Sequence, residues 1–154
     1  MYNHVPDNYK CPICLGIARI ENDDTMLKQA DLVYRDDLVS VFINSFWIET
    51  AEGHVIVVPN DHYENLYDLP DEVGARIFAV VKKMSIAIKK AYGCDGITTK
   101  QNNEPAGGQH AFHYHHHILP RYDEDHYNVN IAKKSILSDP KIRVAYVEKI
   151  KKQL

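Results

Sequence analysis

Three histidines stand two residues apart in the stretch HAFHYHHHILP, and this row restricts the fold more than any other feature of the chain. If the segment is a β-strand, His113, His115 and His117 share one face, because successive strand side chains point to opposite faces. The other face then carries Tyr114 and Ile118. A row of imidazoles is costly to bury without partners. The alternation therefore predicts a strand whose histidine face has a function.

The other segments show both strand-like and helix-like patterns. DLVYRD and LVSVFIN are separated by two aspartates and predict a hairpin, while GHVIVVP and GITTKQNN predict two further strands. Apolar residues recur at helical spacing from Asp68 to Ala91, and Gly93 follows where such a helix would end. A second helical pattern covers about 139–152. This order predicts an α+β protein with an antiparallel sheet of about five strands, one long helix and a C-terminal helix.

Size and charge restrict the class of protein. The chain has 154 residues, a net charge of -3 and 45% hydrophobic residues. We expect a single domain over residues 1–154, with a core at about 9–122 and a C-terminal extension over 123–154. The acidic balance argues against binding a nucleic-acid duplex. A polar N-terminus, no long apolar run and an odd number of cysteines favour a cytoplasmic protein without a membrane span.

A glycine pair lies directly before the histidine row. Gly107 and Gly108 permit close backbone approach, and successive amides in such a loop can bind an anion. Neutral imidazole is a nucleophile near neutral pH, and its neighbours can fix its tautomer or contact phosphate oxygens. The combination indicates a phosphate-bearing ligand next to a nucleophilic histidine. A solvated edge strand or a metal-chelating histidine tract is the alternative.

The sequence CPIC has the cysteine spacing of a zinc knuckle. Structural zinc needs four ligands, and Cys11 and Cys14 supply two. The other candidates are His54, His62 and the histidine row. A redox dithiol or two buried free thiols are the alternatives. Cys94 stands alone at the predicted end of the long helix and is expected to pack there.

The segment GGQHAFHYHHHILPR resembles the signature of the histidine-triad family of nucleotide hydrolases and transferases. GHVIVVPNDHYENLYDLP is similar to that family's central strand and following turn, and CPICLGIARIE resembles its N-terminal segment. The resemblance covers about residues 9–122 and implies the family's fold, usually as a homodimer. It also implies hydrolysis at the α-phosphate of a purine-nucleotide conjugate through a nucleotidyl-histidine intermediate. The substrate would be a phosphoramidate, a dinucleoside polyphosphate or an adenylylated compound.

The resemblance assigns roles to individual residues. His115 would be the nucleophile, His117 would bind a phosphate oxygen and His54 would assist with the leaving group. The substrate-binding positions are matched by Asn44, Asn102, Gly108, Gln109 and Ala111.

The resemblance also bears on the cysteine pair. Relatives such as the hexose-phosphate uridylyltransferases complete a zinc site with two histidines, and those positions match His62 and His113. The implied structural zinc site is Cys11, Cys14, His62 and His113, with His54 as the alternative to His62.

The sequence departs from the family pattern in three places. His116 stands where an apolar residue is usual, His110 replaces a small hydroxyl residue, and SFWIETAEGH lacks the usual proline before its glycine–histidine pair. A zinc-stabilised nucleotide sensor or adaptor is the second hypothesis, and a histidine-rich metal carrier is the third. Retention of all three histidines favours the enzyme, because a binding protein does not require a nucleophile.

Overall fold

The computed structural model describes residues 2–22, 25–133 and 135–154. Its helices are α1 (Pro12–Ile17), α2 (Asp71–Tyr92), α3 (Tyr127–Asn130) and α4 (Pro140–Lys151). Its strands are β1 (Leu32–Arg35), β2 (Val39–Ile43), β3 (Phe46–Trp47), β4 (Val55–Pro59), β5 (Gly96–Gln101), β6 (His116–Arg121) and β7 (Ile136–Leu137). Five of the strands form an antiparallel sheet in the order β1-β2-β4-β6-β5, and β3 pairs with β7. The predicted fold class is confirmed.

The central strands β2 and β4 are buried along their whole length. Residues on one face, such as Val41 and Val57, pack with α2 and α4. Residues on the other face, such as Phe42 and Ile56, pack with Ile13 of α1 and its neighbours. Because both faces are covered, the two strands are nearly continuous apolar runs in the sequence.

The long helix ends where the sequence predicts. Gly93 adopts φ 66°, in the left-handed region, and its amide donates to the Lys89 carbonyl oxygen. Glycine is the residue that adopts this conformation without a Cβ penalty. The predicted beginning at Asp68 is too early, because Leu66–Asp68 form a separate 3₁₀ turn and Pro70 precedes the first residue of α2.

The histidine segment is only partly a strand. Regular pairing begins at His116, so the prediction of a strand is wrong for the part of the row that carries His113 and His115. The Tyr114 amide donates to the Tyr63 carbonyl oxygen, and the His113 amide donates back to the Ala111 carbonyl oxygen. These two hydrogen bonds satisfy backbone amides that would otherwise pair with a neighbouring strand.

The C-terminal extension packs onto the core. α4 contacts α2 and β1, and its Val147 and Ile150 are buried. The Arg143 guanidinium lies 2.8 Å from the Asp31 carboxylate, and both side chains are almost fully buried. We therefore propose that residues 123–154 fold as one unit with the core. None of the helices in the described ranges combines the length and the apolarity needed to cross a membrane.

Candidate active site and metal centre

A cleft of about 880 Å³ lies on the face of the sheet opposite α2. The sheet, the glycine loop and the C-terminal extension all contribute to its walls. The predicted residues in its lining are Asn44, His54, Asn102, Gly108, Ala111, His115 and His117. The extension adds Ile131, Lys133 and Ser135. The structure therefore brings together at one cleft seven of the eight residues predicted for catalysis and substrate binding.

The His115 ring is oriented by one hydrogen bond. Its Nδ1 lies 2.7 Å from the His113 carbonyl oxygen, which can only accept, so Nδ1 carries the proton. Nε2 then holds the lone pair, and it has no hydrogen bond to any residue the structure describes. Burial lowers the pKa of His115, which keeps the ring neutral near pH 7. The side chain lines the cleft, so Nε2 is the ring atom available to a ligand.

Two more histidines lie beside it. The His115 and His117 ring centroids are 4.9 Å apart, and those of His117 and His54 are 5.6 Å apart. Burial lowers the pKa of His54 to about 4 and holds the pKa of His117 well below its ordinary value. His54 Nδ1 donates to the Ala51 carbonyl oxygen, and its Nε2 accepts from Asn44 Nδ2 at 2.8 Å. The three imidazoles are therefore neutral near pH 7.

The glycine loop turns sharply before the histidine segment. Gly108 has φ 84°, and Asn102 Nδ2 donates to its carbonyl oxygen. Gln109 is buried and does not line the cleft. Its side-chain Nε2 donates to the Glu64 and Ala111 carbonyl oxygens, and its Oε1 accepts a hydrogen bond from the Glu104 backbone amide. The Gln109 side chain thus holds the loop in shape. The Ala111 N–H makes no hydrogen bond within the described residues and remains available to an anion.

Four predicted metal ligands form a separate cluster next to the cleft. The ligand atoms of Cys11, Cys14, His62 and His113 lie within 4.8 Å of one another. His113 Nδ1 is 3.4 Å from both sulfurs, and His62 Nδ1 is 3.3 Å from the Cys14 sulfur. Tetrahedral zinc bound by sulfur and nitrogen gives separations of about 3.5 Å. His54 lies outside this cluster.

The surroundings of the cluster suit a cation. His113 Nε2 lies 3.1 Å from the Pro59 carbonyl oxygen and donates to it, which leaves the Nδ1 lone pair free to bind a metal. Burial raises the pKa of the Cys14 thiol to about 12, so the thiolate needs a nearby positive charge. Two sulfur and two nitrogen donors are a common zinc ligand set. The residues therefore fit a structural zinc ion.

The two unusual histidines lie on different sides of the sheet. His110 is exposed and lines the cleft. His116 packs against Phe78 of α2, with ring centroids 5.6 Å apart, and both of its ring nitrogens are buried without a hydrogen bond in the described structure. His110 is thus the one that a substrate would contact.

Two contributors to the site are not predicted from the sequence. The Tyr9 hydroxyl accepts a hydrogen bond from the Phe112 amide and supports the histidine segment. Lys100 lines the cleft and lies opposite His117 in the β5–β6 register. The sequence predicts both strands but not their pairing or register, so it gives no signal that Lys100 lies opposite His117.

The fold and site define an α+β protein whose histidine-lined cleft adjoins a Cys2His2 cluster. The family model described as HIT domain matches residues 26–124. The chain therefore belongs to the HIT family.

Several curated proteins share this sequence pattern. An uncharacterized HIT-like protein of Saccharolobus solfataricus is 40% identical over 94 residues, which are 61% of this chain and 66% of that protein. An adenylylsulfatase of Arabidopsis thaliana is 36% identical over 112 residues, 73% of this chain and 54% of that protein. An adenosine 5'-monophosphoramidase of Schizosaccharomyces pombe is 31% identical over 105 residues, 68% and 75% of the two chains. The matched part of the chain thus spans about half to three quarters of the length of these relatives.

Solved structures share the fold. A Hit-like protein of Bartonella henselae has a TM-score of 0.79 and 28% identity, covering 99% of this chain and 100% of that chain. A Zn-bound histidine triad family protein of Mycobacterium smegmatis has a TM-score of 0.73 and 23% identity, covering 94% of this chain and 92% of that chain.

Proposed function

We propose that the protein hydrolyses nucleotide conjugates at the α-phosphate through a nucleotidyl intermediate on His115. The supporting observation is the 2.7 Å hydrogen bond from His115 Nδ1 to the His113 carbonyl oxygen. It fixes the tautomer in which Nε2 is the nucleophile. When Nε2 bonds to phosphorus the ring becomes cationic, and the same carbonyl then accepts a charge-assisted hydrogen bond.

The reaction has two displacements at phosphorus. In the first, Nε2 forms a P–N bond while the bond from phosphorus to the leaving group breaks, and its electron pair departs with the leaving group. In the second, water attacks the same phosphorus and releases a proton to solvent. The P–N bond then breaks, its electron pair returns to Nε2, and a nucleoside monophosphate is released.

Other residues of the cleft have supporting roles in this proposal. The Ala111 amide would donate to an α-phosphate oxygen, and His117 would lie beside the same phosphate. Gly108 allows the backbone to approach the ligand closely, while Asn102 and Gln109 hold the loop. A purine nucleotide is the preferred ligand class. The activities named for the Arabidopsis and Schizosaccharomyces pombe relatives support an adenylyl group.

Asn44 and His54 form the far side of the proposed site. Asn44 Nδ2 is already occupied by the Phe46 carbonyl oxygen and by His54 Nε2. Its Oδ1 remains the atom that would accept a hydrogen bond from a ribose hydroxyl. His54 would assist the leaving group as a neutral, buried imidazole.

We also propose that a structural zinc ion is held by Cys11, Cys14, His62 and His113. The ion would supply positive charge that stabilises the thiolates. It would also restrain the backbone next to His115, because His113 is one of its proposed ligands. Its ligands connect α1 to the histidine segment, and these two parts are about a hundred residues apart in the sequence.

A homodimer is the proposed assembly. Phe78 and Ile86 on α2 are 64% and 50% exposed, and β5 is an edge strand of the sheet that the described residues form. Large exposed apolar side chains beside a free strand edge are features of surfaces that associate.

The decisive experiment traps the intermediate. Wild type mixed with adenosine 5'-phosphoramidate labelled at phosphorus and quenched in base should carry an adenylyl group on His115, located by mass spectrometry. His115→Ala should keep its fold and metal content, carry no label, and lose at least about 10³-fold in turnover, as expected for removing a covalent nucleophile. Label on another residue, or equal turnover by the variant, would refute the proposal. Tight binding of adenosine monophosphate without turnover by wild type would instead favour the sensor.

A further inference from the structure

Lys100 is a cation placed beside the proposed nucleophile. It lies on the edge strand β5, directly opposite His117 on β6. Residues directly opposite in an antiparallel pair project from the same face, so Lys100 shares the cleft face with His117. Its side chain is half-buried and lines the cleft.

No carboxylate among the described residues pairs with the charge of Lys100. No Asp or Glu is among the described residues that line the cleft. The other lysine of the lining, Lys133, lies 2.7 Å from the Glu49 carboxylate and is neutralised by it. Lys100 makes no ion pair with any residue in the described ranges. Among the described residues that line the cleft, Lys100 is therefore the lysine without a carboxylate partner.

An uncompensated cation in a half-buried position costs free energy. Burial lowers the pKa of Lys100, which is the effect of partial desolvation without an anion nearby. A protein retains such a group at low cost when a ligand supplies the opposite charge. The ligand for this position is therefore an anion that arrives with the substrate.

We propose that Lys100 is a specificity-determining residue that binds an anionic leaving group, either sulfate or phosphate, joined to the α-phosphorus through oxygen. This inference rests on the proposed function. When the bond between phosphorus and that oxygen breaks, the electron pair stays on the oxygen, and the leaving group departs as an oxyanion. Lys100 keeps its proton throughout and donates a charge-assisted hydrogen bond to the oxyanion. An amine takes up a proton from solvent and departs as a neutral molecule, so it presents no oxyanion for Lys100 to bind.

The experiment compares three substrates that share the adenylyl group. These are adenosine 5'-phosphosulfate, diadenosine tetraphosphate and adenosine 5'-phosphoramidate, and kcat/KM is measured for wild type, Lys100→Met and Lys100→Arg. Lys100→Met should lower kcat/KM for the two oxyanion substrates by about 10- to 100-fold, the factor for one hydrogen bond between charged groups. The phosphoramidate should change by less than about threefold, and Lys100→Arg should retain most of the activity. A larger loss for phosphosulfate than for tetraphosphate, or the reverse, identifies which oxyanion the site prefers.

Lys152→Met is the matched control. Lys152 is exposed at the C-terminal end of α4 and does not line the cleft, and its replacement removes the same charge. The ratio of kcat/KM values between substrates should not change in this variant. An equal loss for all three substrates in Lys100→Met, or no loss for any, would overturn the inference.

A binding measurement separates failure of this inference from failure of the proposed function. Calorimetric titration gives the affinities for adenosine diphosphate and monophosphate without requiring turnover. The additional phosphate occupies the leaving-group position, so the preference for the diphosphate should fall about tenfold or more in Lys100→Met. If wild type has no turnover but this preference falls, the hydrolase proposal fails, and only the part of the inference that places an anionic group at Lys100 stands. An unchanged preference overturns the inference, whatever the turnover.

Discussion

Burial and a hydrogen bond from Asn44 both favour the neutral form of His54. Asn44 Nδ2 donates both to the Phe46 carbonyl oxygen and to His54 Nε2, so it stabilises the neutral ring. Burial acts in the same direction and lowers the pKa of His54 to about 4. Because His54 is neutral near pH 7, it adds no positive charge to the cleft that Lys100 also lines.

Replacing this amide with a carboxylate reverses the local charge balance. Asn44→Asp should raise the pKa of His54 by about 1 to 3 pH units, because an adjacent anion favours the imidazolium. Titration of the ring protons by NMR measures it. Asn44→Ala serves as the control, since it removes the donor without adding charge and should raise the pKa less. Equal pKa values of His54 in the two variants would show that the new carboxyl group is not ionised beside the ring.

At the scale of elements, the cysteine knuckle joins α1 to the histidine segment. Cys11 immediately precedes α1, and its sulfur accepts a hydrogen bond from the Cys14 amide, so the two sulfurs lie on one side of the turn. His113 reaches the same point from the other segment, two residues before the proposed nucleophile. A metal at this point would restrain the irregular backbone that precedes β6.

Zinc content tests this connection. Wild-type protein purified without a metal column should contain about one zinc per chain, and Cys14→Ser should lose most of it, because three ligands bind zinc more weakly than four. Elemental analysis provides the measurement. Cys94→Ser is the matched control, since Cys94 lies at the end of α2 outside the cluster, and it should keep its zinc. Wild type without zinc, or equal loss from both variants, would contradict the assignment.

At the scale of the whole molecule, a buried ion pair fastens the C-terminal extension to the core. Arg143 on α4 bonds Asp31, and it also donates to the carbonyl oxygens of Met26 and Ser138. The guanidinium therefore connects α4 with the segment before β1 and with the segment after β7. The extension also lines the cleft through residues such as Ile131, so its attachment affects the shape of the proposed site.

Removing one partner of this pair leaves the other charge buried. Arg143→Ala should lower the free energy of unfolding by about 3 to 5 kcal/mol. Lys133→Ala removes the exposed pair with Glu49 and should cost less than about 1 kcal/mol. Urea unfolding followed by fluorescence and circular dichroism measures both. A single coincident transition in wild type is expected if the extension and the core are one folding unit. Two separate transitions would contradict that unit, and equal costs for the two variants would contradict the role of the buried pair.

The sequence by itself determined the features that depend on local periodicity and spacing. The apolar stripe and Gly93 specify α2, the aspartates between two β-rich segments specify the first hairpin, and the spacing of Cys11 and Cys14 specifies a knuckle. The two-residue spacing of the histidine row predicted that His115 and His117 share one face, and both line the cleft. Each of these signals lies within a few residues of the chain, where backbone geometry alone relates one side chain to the next.

Only the tertiary structure decided the contacts made across long separations in sequence. Regular β6 begins late because Tyr63 supplies the partner for the Tyr114 amide, and Gln109 is buried because the Glu64 carbonyl oxygen lies within its reach. The exact register places Lys100 opposite His117, and packing brings Arg143 to Asp31. The physical reason is that burial and hydrogen-bond partners depend on which segments meet in space, and local periodicity does not specify this.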